Sequence, residues 1–313
     1  MRTPTSHDDI MRLEGCSNAV RGGGEVLWKI AGSQHFKPTP GSQAESEAEE
    51  AIAHGLDAVL MPKTWRVIVE FATAAVELAN ALAVLLLEAQ TVAVPVAARA
   101  TIEHAQQACW LLEATHNAVG TRQARVTARQ RAARAQLEEL FSARHYRDTI
   151  EKFAKGAPPE TDVREALADA RKDLKDLKAY LVTAFGPGTS VEGEPSAWRI
   201  EGQALLVLTA ASEWFFDTQA LGSGFGVYDA LSGWSHPTLW GIRDHQDTSL
   251  MDDGGVELTW TVRPDLMERL CATTSSTLYR LNIQLAGYFG WDEAPVHEWA
   301  ENLNAWSPNL IRG

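Results

Sequence analysis

The stretch VIVEFATAAVELANALAVLLL, residues 67–87, is the most apolar part of the chain, and the fold class turns on how it is read. It has the length of a membrane span. Glu70, Glu77 and Glu88, however, interrupt and close it at offsets of 7 and 18 residues. At about 100° per residue, these carboxylates fall on one narrow stripe of a helix, with Arg66 one turn before them. A single helix in lipid would bear a heavy cost for such charges. The spacing therefore predicts a core helix with one polar seam, capped by Thr64 and running to about Gln90, in a protein that does not enter the membrane.

Outward from this helix the pattern stays helical. Ser46 followed by Glu49 has the form of a capping box, opening a helix to about Leu60, with Pro62 as punctuation. Pro95 falls near the first turn of a helix to about Asn117, and Gly120 follows its end. Residues 121–154 and 161–185 read as two further helices. Together they predict a protruding hairpin over residues 121–185, its second arm rich in mixed charge and largely solvated. Helical periodicity resumes over residues 200–219. The segment VELTWTV, residues 256–262, is the good strand candidate, preceded by Gly254 and Gly255. Pro264 opens a long helix to about Phe289, and a short helix follows from about Ala294. Residues 1–43, with Gly22, Gly23, Gly24, Pro38 and Pro40, read as a partly mobile arm whose Val26, Leu27, Trp28 and Ile30 are able to dock. The expectation is an all-α multi-helix bundle with a small β element near residues 256–262, forming one domain over residues 44–313.

Composition narrows the function classes. The 313 residues are 45% hydrophobic and 22% charged, ordinary globular values, and the formal net charge is −13. That charge argues against wholesale attraction to nucleic acid or anionic membranes. Three scattered cysteines, Cys16, Cys109 and Cys271, fit neither a disulfide framework nor a zinc knuckle. Buried free thiols in a reducing compartment are expected, with a cytoplasmic location. Residues 1–30 carry Asp8, Asp9 and Glu14 and show no unbroken apolar core of the kind a secretory leader has.

Two segments concentrate capable side chains. On the helix after Pro95, Arg99, Glu103, Gln106, Trp110, Glu113 and Asn117 recur at alternating steps of four and three, making a polar seam. Such a seam is either the solvent face or an internal polar stripe that needs a partner. The partner candidate is the segment Tyr228-Asp-Ala-Leu-Ser232-Gly-Trp-Ser-His236-Pro237. On a helix, Tyr228, Ser232 and His236 share a face, presenting a phenol, a hydroxyl and an imidazole. The bland alternative makes them buried hydrogen-bonding struts.

The pairing of Arg99-x-x-x-Glu103 with Tyr228-x-x-Leu231-Ser232-x-x-x-His236 resembles a large bacterial family of helical proteins of unknown function. The run from Arg131 through Arg134, Glu138 and Glu139 to Leu140 is similar to the middle helix of that family. The resemblance spans roughly residues 90–240. It implies one ligand-binding site made of Arg99, Glu103, Tyr228, Ser232 and His236, and it brings no established activity.

A second resemblance is to ribonucleases of the HEPN type, whose signature places an Arg four to six residues before a His. Arg99 and His104 have that spacing, although Ala100 stands where the family tends to have a polar residue. The resemblance implies a metal-independent ribonuclease in a defence or toxin role, with Arg99, His104 or His236 as catalytic candidates. Its His would act as acid or base on a ribose hydroxyl and its Arg would steady the phosphate. Five helical steps rotate by about 140°, so Arg99 and His104 would need a homodimer to meet in one site. Arg122, Arg125 and Arg129 are the phosphate-binding candidates, within an arginine patch that also includes Arg131, Arg134, Arg144 and Arg147. This patch is the route by which nucleic acid is expected to bind, if it binds at all. The competing reading lets these arginines neutralise acidic neighbours such as the glutamates at 45–50.

A metal reading rests on Glu113-x-x-His116, the spacing of dinuclear carboxylate bundles, with Glu103 as a further ligand. Its second copy is missing from the chain, and the expectation is no metal and no cofactor. Cys109 has no activating base nearby in sequence, and Ser232 lacks a nucleophile elbow.

Overall fold

The computed structural model describes residues 6–32, 36–90, 92–112, 126–156, 162–206, 246–251, 256–260 and 263–306. Among them, eight α-helices account for most of the chain: α1 (His7–Ala31), α2 (Gln43–Ala53), α3 (Leu60–Leu87), α4 (Ala93–Leu112), α5 (Ala128–Gly156), α6 (Asp162–Phe185), α7 (Pro264–Phe289) and α8 (Ala294–Trp306). Two strands, β1 (Gln246–Leu250) and β2 (Val256–Trp260), pair antiparallel with Leu250 opposite Val256 and Gln246 opposite Trp260. The protein is an all-α multi-helix bundle with a small β element where the sequence placed one; β1 has no counterpart among the sequence readings.

The chain divides into two compact units. One comprises Met1–Gln43, Val69–Gln123 and Val207–Gly313; the other comprises Ala44–Ile68 and Ala124–Leu206. The first unit contains α1, most of α3, α4, the β-hairpin, α7 and α8. The second contains most of α2, the first residues of α3, α5 and α6.

The expected arm is instead a core helix. Ser6 caps α1 through the Asp9 backbone N–H at 3.1 Å, and Asp8 and Asp9 in the first turn suit its dipole. Val26, Leu27 and Ile30 are buried, as docking residues would be, while Trp28 stays half exposed and packs edge-on against Phe36. Gly22, Gly23 and Gly24 lie within the helix, because neighbouring side chains take up the room that a methyl group would need. A Cβ on Gly22 would come within 2.8 Å of the Trp299 indole nitrogen, and one on Gly23 within 2.9 Å of Leu278 Cδ1. Glycine here allows close approach and thereby offsets its poor helix propensity.

Helix α7 is the spine of this unit. Arg12 reaches Glu268, Cys16 meets Cys271, and Gly23 packs on Leu278. Both residue numbers rise together, so α1 and α7 run parallel although about 250 residues separate them in sequence. The buried Asn282 donates to the Gly23 carbonyl at 2.9 Å, and the Trp299 indole donates to the Ala19 carbonyl at 3.2 Å. Trp291 donates to the Lys37 carbonyl at 2.9 Å, and Thr39 Oγ1 donates to the Phe289 carbonyl at 3.1 Å. Residues 36–42 are thus pinned to the turn after α7.

Helix α3 shows the stripe expected of it. Ile68, Ala72, Val76, Ala79, Leu82, Ala83 and Leu86 are buried, whereas Glu70, Glu77 and Glu88 are exposed. It is also long and apolar enough to cross a membrane, a test that core helices of soluble proteins pass as well. Its start differs from expectation: Pro62 lies in the first turn, and Thr64 is already helical, its hydroxyl donating back to the Leu60 carbonyl at 2.9 Å.

In the second unit, α5 and α6 form the expected hairpin, but its base is core. Ala132, Ala133, Leu137 and Leu140 of α5 pack with Leu60, Met61, Leu174, Leu181, Phe185 and Trp198. The rest of α6 is largely exposed, as its charge pattern predicted. The α2 helix opens at Gln43, three positions before the anticipated Ser46 cap. The helix expected from residue 200 is replaced, as far as Leu206, by irregular chain around a tight turn. Ile200 pairs with Gln203 across Glu201 and Gly202, both at positive φ. That is the geometry of a two-residue type I′ turn, in which glycine is favoured.

Candidate functional site

Helix α4 carries the seam. Alanines 97, 98, 105 and 108 are buried and allow close packing, and Pro95 sits in the first turn, where its missing N–H costs nothing. Thr101 is folded back on the Ala97 carbonyl at 2.8 Å. With these positions turned inward, Arg99 and Glu103 share the next face. The Arg99 Nε–H donates to Glu103 Oε1 at 2.7 Å, with side chains 18% and 20% exposed. An ion pair on an ordinary solvent face would be much more open, so the seam is largely withdrawn from water. It deepens along the helix: Gln106 is completely buried, Gln107 is nearly so, and Trp110 is half-buried. Among the described residues, none donates a hydrogen bond to the buried Gln107 Oε1, and buried amide oxygens usually have a donor.

Beyond Gln106 lies a further charged group that the sequence reading passed over. Arg280 of α7 sits close enough to Cys109 to interact with it electrostatically. Burial lowers the pKa of the Arg280 guanidinium, and burial pushes the Cys109 thiol up to about 12, against the opposing pull of Arg280. Cys109 is therefore a protonated thiol at neutral pH, as expected of an inert structural cysteine. The sequence signal for Arg280 was available as a lone cation within the apolar run LYRLNIQL.

The catalytic candidates separate. His104 Nδ1 lies 2.8 Å from the Ala100 carbonyl, and its ring packs against Phe71 at 6.2 Å between centroids. It occupies a different face of α4 from the Arg99–Glu103 pair, as the 140° rotation requires. Tyr228, Ser232 and His236 lie outside the described residues, so of the five-residue site the structure brings together Arg99 and Glu103.

The phosphate candidates Arg122 and Arg125 also lie outside the described residues. Arg129 is engaged within its unit: it pairs with Glu201 at 2.8 Å and donates to the Phe185 carbonyl at 2.7 Å. Its neighbours follow suit. Arg131 is fully buried against Glu47, at 2.9 and 3.3 Å, and Arg134 donates to Gln203 at 2.7 Å. Arg144 is shared between Glu194 at 2.9 Å and the Gly193 carbonyl at 2.7 Å, and Arg147 pairs with Asp148 at 2.6 Å. The glutamate at position 47 is one of the acidic neighbours that the sequence offered to this cluster.

Glu113 and His116 of the metal reading lie outside the described residues, and Glu103 is held by Arg99. Among the described residues, no group of three His, Cys, Asp or Glu side chains could hold a metal ion.

No protein-family model matches the chain, and neither curated proteins nor solved structures yielded a match. The resemblances to a bacterial helical family and to HEPN ribonucleases rest on the quoted motifs alone.

Proposed function

We propose that this chain is a ligand-binding helical protein whose internal polar site is built on Arg99 and Glu103. The observation that carries this reading is the withdrawal of that pair from solvent, four-fifths of each side chain being covered. A solvent-face pair contributes a few tenths of a kcal/mol. A buried pair needs compensation for its lost hydration, and a polar ligand is one source of it. Gln107 Oε1, which accepts from no donor among the described residues, adds an acceptor one turn further on the same side of α4. Tyr228, Ser232 and His236 complete the site in this proposal.

Metal-independent RNA cleavage is the second reading. Two observations weigh against it: His104 is turned toward Phe71 and the Ala100 carbonyl, and Arg129 is occupied by Glu201. The buried free cysteines favour a reducing, cytoplasmic setting as part of the same proposal.

The test is a thermal-shift screen of the full chain against nucleotides, carboxylates and polyamines, with Arg99→Ala and Glu103→Gln alongside. A true ligand at a hundred times its Kd should stabilise the wild type by about 2.7 kcal/mol and fail to stabilise either variant, without turnover. Ligands that shift wild type and variants alike would remove Arg99 and Glu103 from the site. RNA cleavage that survives chelators and disappears in His104→Ala or His236→Ala would replace binding with the nuclease reading.

A further inference from the structure

Cys16 and Cys271 face each other across the parallel α1–α7 pair. Both are fully buried free cysteines, and the Cys271 thiol donates to the Cys16 carbonyl at 3.3 Å. Hydrogen bonding to Cys16, reinforced by burial, holds the Cys271 thiol well above its usual pKa. Cys109, the third cysteine, lies on α4 and is the control within the same unit. A Cys271 sulfur 3.3 Å from the Cys16 backbone places the two cysteines side by side, and the nearer two cysteines lie, the less the backbone must move to join them.

Just N-terminal to this pair is a charged latch. Arg12 donates through Nε and a terminal nitrogen to the two oxygens of Glu268, both at 2.7 Å, and also pairs with Asp265. This bidentate clamp ties the first turns of α1 to the first turns of α7. Helix ends are the parts of a fold that open most readily. The latch fastens the α1–α7 seam about one turn before the two cysteines on both helices.

We propose that Cys16 and Cys271 are a redox pair, closed to a disulfide by a low-molecular-weight disulfide when the α1–α7 ends part. In the open state one cysteine thiolate attacks the oxidant, forming a mixed disulfide and releasing one small thiol. The second cysteine thiolate then attacks the protein sulfur of that mixed disulfide and releases the second small thiol. The two cysteines are oxidised, the oxidant is reduced to two thiols, and the two cysteine protons end on those products. The resulting bond joins the first and next-to-last helices of the described chain. It closes a loop of more than 250 residues, the kind of long loop for which a cross-link restrains the unfolded chain most.

The experiment incubates the reduced full chain with oxidised glutathione, then alkylates under denaturing conditions and maps peptides. The expected result is a single alkylatable cysteine, Cys109, with a peptide containing Cys16 linked to one containing Cys271, and a melting temperature that rises and reverts with dithiothreitol. Cys16→Ser and Cys271→Ser should each abolish the link, and Arg12→Ala should accelerate its formation severalfold. The wild-type peptide map needs no variant to fold. Three alkylatable cysteines after exposure, while guanidinium-unfolded chain oxidises under the same conditions, would overturn the proposal. So would a link involving Cys109 or joining two chains.

Discussion

Replacing Gly23 by alanine puts a methyl group where α1, α7 and α8 converge. Its Cβ would stand 2.8 Å from Trp299 Cζ2, and 2.9 Å from both Trp299 Cη2 and Leu278 Cδ1. Carbon atoms in contact prefer about 3.5–4.0 Å, so the neighbours must retreat by roughly 0.7 Å. They have little freedom to do so: Leu278 is fully buried, and the Trp299 ring is anchored by its hydrogen bond to the Ala19 carbonyl. Overpacking of this kind costs about 1–3 kcal/mol, against a return of up to about 1 kcal/mol in helix propensity. The expected net effect of Gly23→Ala is a loss of about 1–2 kcal/mol. Guanidinium unfolding followed by far-ultraviolet circular dichroism measures it. Gly156→Ala is the control, since a Cβ there meets nothing within 4 Å, and it should be neutral or slightly stabilising. Leu278→Ala opens space beside the new methyl, so the double variant should lose less than the sum of the singles, by about 1 kcal/mol. Gly23→Ala at or above wild-type stability would refute the close-packing argument for this helix.

Other consequences can be measured independently. Arg131→Met takes the guanidinium at 2.9 Å away from the buried Glu47 carboxylate and should cost about 3–5 kcal/mol, whereas Arg131→Met with Glu47→Leu should recover most of it; a double variant as unstable as the single would show that the pair itself is indispensable. Cys109 supplies a pH signature. Its thiol is raised in the fold to about 12 from an ordinary 9.0, so its contribution is fully present below pH 9 and is lost as pH climbs toward 12. Up to about 4 kcal/mol disappears over that window; Cys109→Ala should flatten this part of the stability curve, and an unchanged alkaline slope would contradict the burial argument.

Much of the site logic depended on how far apart in sequence its parts lie. Arg99 and Glu103 are four residues apart on one helix, so their pairing was legible in the spacing. Whether that face was wet depended on tertiary packing, and the structure covers it. The arginine cluster showed the same division. A local positive field was visible along residues 122–147, but Arg131 finds Glu47 84 residues away, and Arg129 finds Glu201 beyond the far arm of the hairpin. The turn at Glu201–Gly202 displaced an expected helix because two successive positive φ angles outweigh a short apolar periodicity.

By itself the sequence determined the all-helical class, the carboxylate stripe and buried face of α3, the α5–α6 hairpin and the strand at residues 256–260. Those features arise from side-chain periodicity within a few turns, which is set by the local backbone repeat. Only the tertiary structure decided that the glycine-rich start of the chain is a core helix. Three consecutive glycines weaken a helix taken alone, and the indole and leucine that crowd Gly22 and Gly23 are supplied by residues about 255–277 positions later. It likewise decided the split into two units and the meeting of Cys16 with Cys271. Contacts between distant segments are selected by which surfaces fit together, information that no local window of sequence contains.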